Sequence, residues 1–403
     1  MPANFWMAIC LAAGVSACSR RPRRPTFTVR DSAGVRIVEN GGALWTATQA
    51  WRLSAEPSVT IGAVEGLPAE EITRVSGALR LADGRLVVAN AYRPPELRVY
   101  DPVGRHLRSM GRAGGGPGEF SAIHRLFLAP PDTLIAYDAD RARHTHFRVD
   151  GELLGVVPFR WEGDVLARVV WGRFSDGTYL TRPNSVVPSD ASRGRGRALT
   201  AWTRVRPDGS LVDTIARIRD PEYEIGGPGG DVVRLLLFSS WPAVLAHRGS
   251  LYVGVADEFR IDAYGLSGRL RRSIRRSYDR RPVTDADLRA LEERELEAAT
   301  SPAARERIRR RHRSVPHAEW MPAHGTRLLV DAEGDLWVEE FAAPTDPERA
   351  WSVFDPGGRF LGRVAVPEPL RICDVGRDYV LGVWTDALGV ESVREYELLK
   401  PAE

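Results

Sequence analysis

The segment Asp83–Phe120, DGRLVVANAYRPPELRVYDPVGRHLRSMGRAGGGPGEF, decides the fold class. It begins with an Asp-Gly turn and an apolar strand, and two alternating strands then meet at the turn Pro102–Gly104. The glycine-rich run Gly111–Phe120 follows the last of these strands. A short up-and-down sheet of this kind cannot bury both of its faces by itself. It therefore needs neighbouring sheets of the same type.

The chain supplies such neighbours as six copies of one pattern. Each copy begins with a turn and an apolar strand, at Asp83–Val88, Asp132–Ala136, Asp176–Leu180, Arg248–Val253, Glu333–Val338 and Gly376–Leu381. An alternating strand follows in each copy, and most copies then add a glycine turn and a further strand. Uninterrupted copies lie roughly 45 residues apart, a spacing typical of propeller blades. The sequence therefore predicts an all-β fold, a six-bladed β-propeller.

The last copy ends after the strand Ser392–Leu399, without the turn and the further strand. A closed ring needs a partner for that edge, because an unpaired edge strand is open to pairing with other chains. The segment Phe27–Val38 reads as a hairpin around the turn Asp31–Gly34. We expect this hairpin to supply the missing outermost strand and so to close the ring.

The composition is that of a folded protein without a strong overall charge. The chain has 403 residues and a formal net charge of +3, so we expect no nucleic-acid partner. Of its three cysteines, Cys10 lies in an N-terminal apolar stretch, Cys18 closes that stretch, and Cys373 stands alone. Cys10 would be removed if the N-terminal stretch is cleaved as a signal peptide, and Cys18 would then be modified by a lipid. Cys373 would have no partner for an intramolecular disulfide, and core packing must hold the fold. We expect a monomer.

The first residues read as an export signal. Residues 1–17 carry no charged side chain and are too few for a membrane-spanning helix, which needs ~20 apolar residues. They fit a signal peptide with a small-residue cleavage site. The run Val15–Cys18 resembles the bacterial lipobox, which implies a lipid on Cys18 and a location in the bacterial cell envelope, facing the periplasm or the exterior. The alternative is an ordinary cleaved signal in which Cys18 has no role. Residues 18–26, rich in arginine and proline, are expected to form a lipid-anchored basic tether, which either lies against anionic headgroups or serves only as a spacer.

Three motifs carry a resemblance to a known family. The run Gly111–Phe120, placed after a strand that ends a blade, resembles the signature of six-bladed propellers related to NHL repeats. Asp31–Val35 and Tyr379–Trp384 are similar to segments of bacterial secreted lipoproteins of this type. The resemblance implies that residues 27–403 form one propeller. It implies no particular activity, because propellers host many functions.

Two insertions interrupt the repeat. The first, Pro183–Arg197, contains Ser-Arg-Gly-Arg-Gly-Arg and reads as a flexible loop. The second, about 278–317, is predicted to form a helical hairpin in the fourth blade. Its first helix begins with a capping box of Thr284 and Asp287, and its second helix is capped by Ser301. Four apolar side chains are expected to dock the hairpin on the propeller: Leu288, Leu291, Leu296 and Ile308.

The second predicted helix carries a run of arginines. Its candidate partner surface consists of Arg305, Arg309, Arg310 and Arg313. Guanidinium groups bind the carboxylates and phosphates that an envelope protein or glycan presents. The alternative is a solvated helix face in which Glu306 pairs with Arg310 one turn further on.

Signals for catalysis or for a cofactor are weak. The glycine-rich run lacks the Gly-Lys-Ser/Thr of a nucleotide-binding loop, so we interpret its glycines as turn residues. His144 and His146, with Asp138 and Asp140 before them, have the spacing of zinc ligands on one strand, but no third ligand is evident. We interpret both histidines as side chains of one surface strand or hairpin. We predict no catalytic, cofactor-binding or metal-binding residues.

A metal at the centre of the ring would be the alternative site. Calcium-dependent six-bladed lactonases hold their metal with Glu, Asp and Asn side chains at the channel. After the leader this chain has Asn40, Asn90 and Asn184, and Asn90 ends a predicted innermost strand. His317 and His324 lie close to prolines, and we interpret them as loop residues.

Two functions remain for residues 27–403. The first is a binding or scaffold module for an envelope protein or glycan, and the second is a metal-dependent hydrolase or lyase with its site at the central channel. A channel mouth lined by three or more carboxylate, Asn or His side chains would favour the enzyme. A channel lined by apolar and arginine side chains would favour binding, which is the interpretation we adopt.

Overall fold

The computed structural model describes residues 26–62, 71–160, 168–183, 193–226 and 232–401. The predicted signal peptide, Cys18 and Asn184 lie outside the described residues. Neither of the two helices in this part of the chain has the length and apolar character of a membrane-spanning segment. Strands form most of the regular structure.

Four strands precede the first repeat. They are β1 (Phe27–Ser32), β2 (Val35–Asn40), β3 (Arg52–Leu53) and β4 (Val59–Ile61). The first two pair antiparallel through Ala33 and Gly34, whose φ angles are 50° and 79°. Positive φ at both central positions is typical of a type I′ hairpin turn, and the pairing of β1 with β2 confirms the predicted hairpin.

The first two sheets are four-stranded and antiparallel, with their strands side by side in chain order. The first sheet contains β5 (Val75–Arg80), β6 (Leu86–Asn90), β7 (Glu96–Tyr100) and β8 (His106–Met110). A short parallel pair follows, β9 (Arg112–Ala113) and β10 (Glu119–Phe120). The second sheet contains β11 (Arg125–Ala129), β12 (Thr133–Asp138), β13 (Arg143–Arg148) and β14 (Leu153–Pro158).

The third sheet is larger than the first two. It contains β15 (Arg168–Arg173), β16 (Tyr179–Pro183), β17 (Gly194–Val205), β18 (Leu211–Gly226) and β19 (Val232–Leu235). Gly194–Arg197 were predicted to lie in a flexible loop, and for these four residues the prediction is wrong. They pair with Glu222–Ile225 of β18, and Arg197 is also held by both oxygens of Asp257, at 2.8 and 2.6 Å. Cross-strand contacts thus override the glycine-rich composition.

The fourth sheet is followed by the two helices. It contains β20 (Pro242–His247), β21 (Ser250–Val255), β22 (Arg260–Gly265) and β23 (Leu270–Arg276). The helices are α1 (Asp285–Glu297) and α2 (Pro302–Ser314). The predicted capping box is confirmed, because the Thr284 hydroxyl accepts from Asp287 N at 3.3 Å and the Asp287 carboxylate accepts from Thr284 N at 3.1 Å. Ser301 caps α2 as predicted.

The last two sheets complete the repeat. The fifth contains β24 (Leu328–Val330), β25 (Leu336–Glu339), β26 (Arg349–Phe354) and β27 (Phe360–Val366). The sixth contains β28 (Leu370–Val375), β29 (Tyr379–Thr385) and β30 (Glu391–Leu399). The helices therefore lie between the fourth and fifth sheets in the chain.

The sixth sheet takes its outer strands from the N-terminal region, but not from the predicted segment. β3 and β4 both pair antiparallel with β30, through Arg52 opposite Leu399 and Val59 opposite Glu395. The expectation that Phe27–Val38 would fill this edge is wrong. Strand β2 instead adds parallel to β23 at the edge of the fourth sheet.

Asn40 gives the physical reason for the placement of β2. Its buried amide donates to the carbonyls of Arg275 and Gly358, at 2.9 and 3.1 Å. Its side-chain oxygen accepts from Phe360 N at 2.8 Å. These three bonds join β2 to β23 and to the turn before β27, and Val38 beside Asn40 is fully buried. The hairpin therefore lies across the junction of the fourth and fifth sheets.

A buried apolar cluster lies between every two neighbouring sheets. Representative buried pairs, one for each junction, are Val87 and Leu134, Tyr137 and Tyr179, Trp202 and Leu251, Ile261 and Leu336, Trp337 and Ile372, and Leu381 and Leu86. The last pair joins the sixth sheet to the first. The described sheets thus form a closed ring, and the fold is propeller-like.

Candidate functional site: an arginine-lined central cavity

The first strands of all six sheets surround one cavity of about 460 Å³. These strands are β5, β11, β15, β20, β24 and β28. The volume is that of a pocket for a small molecule. Because each sheet contributes to the lining, only closure of the ring creates the cavity.

Three guanidinium groups project into this cavity, from Arg125, Arg327 and Arg371. Backbone carbonyls orient each of them. Arg125 donates to the His124 carbonyl at 3.2 Å, Arg371 donates to the Val75 carbonyl at 2.7 Å, and Arg327 donates to the Ile372 carbonyl. Each arginine therefore keeps further N–H groups for a ligand, since a guanidinium carries five donors.

The three arginines place positive charge around one cavity, and a carboxylate, Glu339, acts on Arg327 from beyond ion-pair distance. Within the described ranges, no carboxylate lies within 4.0 Å of any of these guanidinium groups. Burial lowers the pKa of Arg125, and the charges of Arg371 and Arg327 lower it further. Burial also lowers the pKa of Arg327; Cys373 and Glu339 act to raise it, and the charge of Arg371 makes a smaller contribution that lowers it. Like charges held together at a half-buried place create a positive potential that attracts anions.

The acidic residue of the lining, Asp374, is engaged elsewhere. Its carboxylate accepts from Arg80 N and from the Tyr379 hydroxyl, both at 3.0 Å, and burial raises its pKa. Cys373 lies beside it, with its sulfur 3.7 Å from Nη1 of Arg371. Together with the apolar residues of the lining, the cavity therefore shows the apolar and arginine character that favours binding.

The predicted partner surface on α2 lies elsewhere, since none of its four arginines lines the cavity. All four are exposed. Arg313 pairs with Glu306 at 3.1 Å, which replaces the predicted pair of Glu306 with Arg310. In the part of the chain that the structure describes, Arg305, Arg309 and Arg310 have no ion-pair partner. The sequence thus identified a solvent-facing basic surface, which is separate from the cavity.

Polar contacts attach the helices to the propeller-like ring. Asp287 accepts from the Thr345 hydroxyl at 3.0 Å. Arg281 pairs with Asp346 at 2.7 Å, and Arg294 approaches Glu368 at 3.5 Å. The four apolar side chains predicted to dock the hairpin are half-buried. Hydrogen bonds and ion pairs therefore attach the helices to the fifth sheet and to the turn before β28.

The glycine-rich run has the structural role predicted for it. Gly111 and Gly118 have φ angles of 79° and 75°, which favour glycine. The Glu119 carboxylate accepts from Gly116 N at 2.7 Å, so it occupies the place that an anion would take in a phosphate loop. Arg143 donates to the Gly116 carbonyl at 3.0 Å from the neighbouring sheet. Hydrogen bonds therefore fix this segment as a turn between the first and second sheets.

The prediction that His144 lies on a surface strand is wrong, because its ring packs among aromatic side chains in the interior. Its fully buried ring stacks on Tyr179, with centroids 4.2 Å apart and planes at 17°, and Phe159 meets it edge-on at 5.1 Å. Burial lowers the pKa of His144 to about 3, assisted by the charges of His146 and Arg173. Across the described ranges, no three His, Cys, Asp or Glu side chains are grouped so as to hold a metal ion.

The other polar residues considered for a metal site support the backbone. The Asn90 side chain accepts from Thr73 N at 2.9 Å and donates to the Pro94 carbonyl at 2.8 Å. Asn40 holds the junction of the fourth and fifth sheets, as described above. His324 lies in a loop, as predicted, but it is buried, and burial lowers its pKa to about 4. Its Nδ1 lies 2.7 Å from the Gly325 carbonyl oxygen.

Sequence reasoning missed the three cavity arginines, although a signal for them exists. They occupy the same position at the start of three first strands, in Arg-Leu-Phe-Leu, Arg-Leu-Leu-Val and Arg-Ile-Cys-Asp, which begin at Arg125, Arg327 and Arg371. Aligning the repeats by these strands would have placed the three side chains around one axis. The predicted cluster on α2 is contiguous in sequence and was easier to notice.

No protein-family model and no curated protein matches this sequence. Among solved structures, a Bacteroides fragilis protein described as exported is similar, with a TM-score of 0.50 and 12% identity over 91% of this chain and 100% of that one. A member of the DUF4221 family from Bacteroides vulgatus has a TM-score of 0.51 and 10% identity over 88% of this chain and 100% of its own. At these identities the likeness concerns the fold.

Proposed function

We propose that this chain is a six-bladed β-propeller related to NHL-repeat propellers and that it acts as a binding module whose ligand is an anion in the central cavity. In this proposal the six sheets are the blades, and α1 and α2 are an insertion at the end of the fourth. One observation carries the function: Arg125, Arg327 and Arg371 come from three different sheets and line one cavity, and within the described residues none of them forms an ion pair with a carboxylate.

The chemistry of arginine supports an oxyanion as the ligand. A guanidinium group presents parallel N–H donors that fit a carboxylate or a phosphate through two hydrogen bonds. Such bonds are stronger in a half-buried cavity than in water, because the effective dielectric constant is lower. An anion would also relieve the mutual repulsion that lowers the pKa of Arg125.

The alternative, a metal-dependent hydrolase or lyase, has less support in the lining. Hard cations such as calcium bind oxygen ligands, and several must converge on one point. Among the described lining residues, Asp374 is the carboxylate, and its oxygen already accepts two hydrogen bonds. Three guanidinium groups in the same cavity would repel a cation.

We predict that Arg125→Gln weakens anion binding at least about tenfold, because the variant loses one positive charge and the parallel N–H donors of one guanidinium group. Arg125 is the best choice among the three, since its hydrogen bond goes to the neighbouring residue His124 and its loss should not separate two sheets. The measurement is isothermal titration calorimetry of the wild type and the variant with inorganic phosphate, sulfate and citrate.

Arg105→Gln is the matched control, because Arg105 is an exposed arginine outside the cavity. It should bind the same anions with wild-type affinity. The proposal would be contradicted if none of the three anions bound the wild type, or if Arg125→Gln bound them as tightly as the wild type.

The proposal also includes a location and a second contact surface. The charge-free leader and the lipobox-like Val15–Cys18 support export and lipid attachment at Cys18, in the bacterial cell envelope. The exposed, unpaired charges of Arg305, Arg309 and Arg310, with the nearby Arg313, support contact of α2 with an acidic envelope protein or glycan.

Two measurements test these two parts: lipid labelling tests the anchor, and co-purification tests the α2 contact. A palmitate analogue should label the wild type and a variant with these four arginines of α2 changed to Gln, but not Cys18→Ser. Envelope components that co-purify with the wild type should be lost from the four-arginine variant, because its charges are removed. Equal labelling of Cys18→Ser and the wild type would refute the anchor, and unchanged co-purification would refute the α2 contact.

A further inference from the structure

The cavity has two chemically different walls. The three arginines belong to the second, fifth and sixth sheets, and the first sheet between the sixth and the second contributes small residues, including Gly77 and Ala78. A Cβ at Gly77 would lie 3.3 Å from Cβ of Leu126, so a larger residue would crowd this wall. The third and fourth sheets, which complete the ring, contribute Trp171, Val244 and Leu245. The arginines therefore enter from one side of the ring, beside apolar residues that include Leu126 and Leu328, and the third and fourth sheets contribute apolar lining residues on the other side.

Trp171 is unusually exposed for a large aromatic residue in the wall of a cavity. Its side chain is 41% exposed although it lies in the lining of a cavity. The buried Trp202 supports it from behind, with ring centroids 5.4 Å apart. The guanidinium of Arg125 lies 5.8 Å from the Trp171 ring centroid, so the basic and the aromatic walls meet here. An aromatic ring that is fixed from behind and exposed in a pocket is a surface for another flat apolar group.

We propose that the ligand is a small amphipathic anion, in which one carboxylate or phosphate group is joined directly or by a short link to an aromatic ring. The arginines hold the oxyanion, and the ring of the ligand packs on Trp171 beside Val244 and Leu245. This inference rests on the proposed function of the cavity and adds the class of ligand. The volume of about 460 Å³ suits a molecule of this size rather than a folded partner.

The test compares matched pairs of probes that differ only in the ring. Benzoate is compared with acetate, and phenyl phosphate with methyl phosphate, by calorimetric titration into the full mature chain. In at least one pair the aromatic anion should bind at least about tenfold more tightly, and the pair that shows this identifies the oxyanion as carboxylate or phosphate. Benzyl alcohol, which keeps the ring and lacks the charge, should give no detectable binding.

Variants of Trp171 test the position of the ring. Trp171→Ala should reduce the preference for the aromatic anion to within about twofold, with methyl phosphate or acetate binding unchanged, whereas Trp171→Phe should keep most of the preference. Trp241→Ala is the matched control, because Trp241 is 39% exposed and outside the cavity lining. Retained wild-type preference in Trp171→Ala would overturn the placement of the ring.

The outcomes separate this inference from the proposal beneath it. If both members of each pair bind with equal affinity, the ligand class is wrong and the anion-binding function stands. If the wild type binds no phosphate or carboxylate among the probes, the anion-binding function itself fails. If benzyl alcohol binds as well as phenyl phosphate, the cavity recognises the ring alone and both statements are wrong.

Discussion

Trp337→Ala is expected to lower the free energy of unfolding by about 3–5 kcal/mol. Trp337 is fully buried in the cluster between the fifth and sixth sheets, and its ring centroid lies 6.2 Å from that of Trp51. Its indole N–H also donates to the Asp331 carboxylate at 3.0 Å. Truncation therefore leaves a cavity in the core and removes a donor from Asp331, which is itself buried. Both effects destabilise the folded state.

The measurement is urea unfolding followed by circular dichroism, with Trp241→Ala as the control. Trp241 precedes β20 and is substantially exposed, so its truncation should change the free energy of unfolding by less than about 0.5 kcal/mol. If the two variants lost similar amounts of stability, the packing described for the junction of the fifth and sixth sheets would be wrong.

His144→Phe is expected to make the protein less sensitive to acid. The ordinary pKa of histidine is 6.5, and in the folded protein burial lowers the pKa of His144 to about 3. Between these values the unfolded chain binds a proton that the folded chain does not, so folding stability falls as the pH decreases. The loss begins below pH 6.5 and reaches about 2 kcal/mol near pH 5. Phenylalanine cannot titrate, and it can occupy the same place against Tyr179 and Phe159.

The measurement compares the urea midpoints of the wild type and His144→Phe at about pH 7 and pH 5. The variant should be at least as stable as the wild type at the higher pH, because neither ring nitrogen of His144 has a hydrogen-bond partner. At the lower pH its advantage should grow by about 2 kcal/mol. His106→Phe, at an exposed histidine on β8, is the control for replacing a histidine at the surface. Parallel pH profiles for the wild type and His144→Phe would contradict the buried, neutral state of His144.

Local sequence patterns predicted the local parts of this fold. Asp-Gly turns, alternating strands and the capping box of Thr284 depend on residues close together in the chain, so the sequence identifies them. The partner of β30 depends on distant segments that compete for one sheet edge. Phe27–Val38 and the short strands β3 and β4 compete for that edge, and the three hydrogen bonds of Asn40 hold β2 on the fourth sheet instead. Local sequence patterns do not show which segment pairs with that edge.

The candidate site was less predictable than the fold. Arg125, Arg327 and Arg371 are far apart in the chain, and each resembles any arginine at the start of a strand. They line one cavity only because closure of the ring places their three first strands around it. The arginines of α2 attracted attention because helical arginines adjacent in sequence are visible without a structure. Adjacency in sequence was a poor guide to convergence in space.

The pairing of β30 with β3 and β4 also sets the order in which this protein can be completed during synthesis. β3 and β4 leave the ribosome before every repeat, whereas β30 follows all the other strands of the six sheets. The ring therefore cannot close until translation has passed Leu399, and the early strands wait unpaired for the whole of that time. Contacts of such long sequence separation make folding slow. Once closed, the same pairing resists unravelling from either end, because a force that pulls on one terminal region is opposed by the strands of the other.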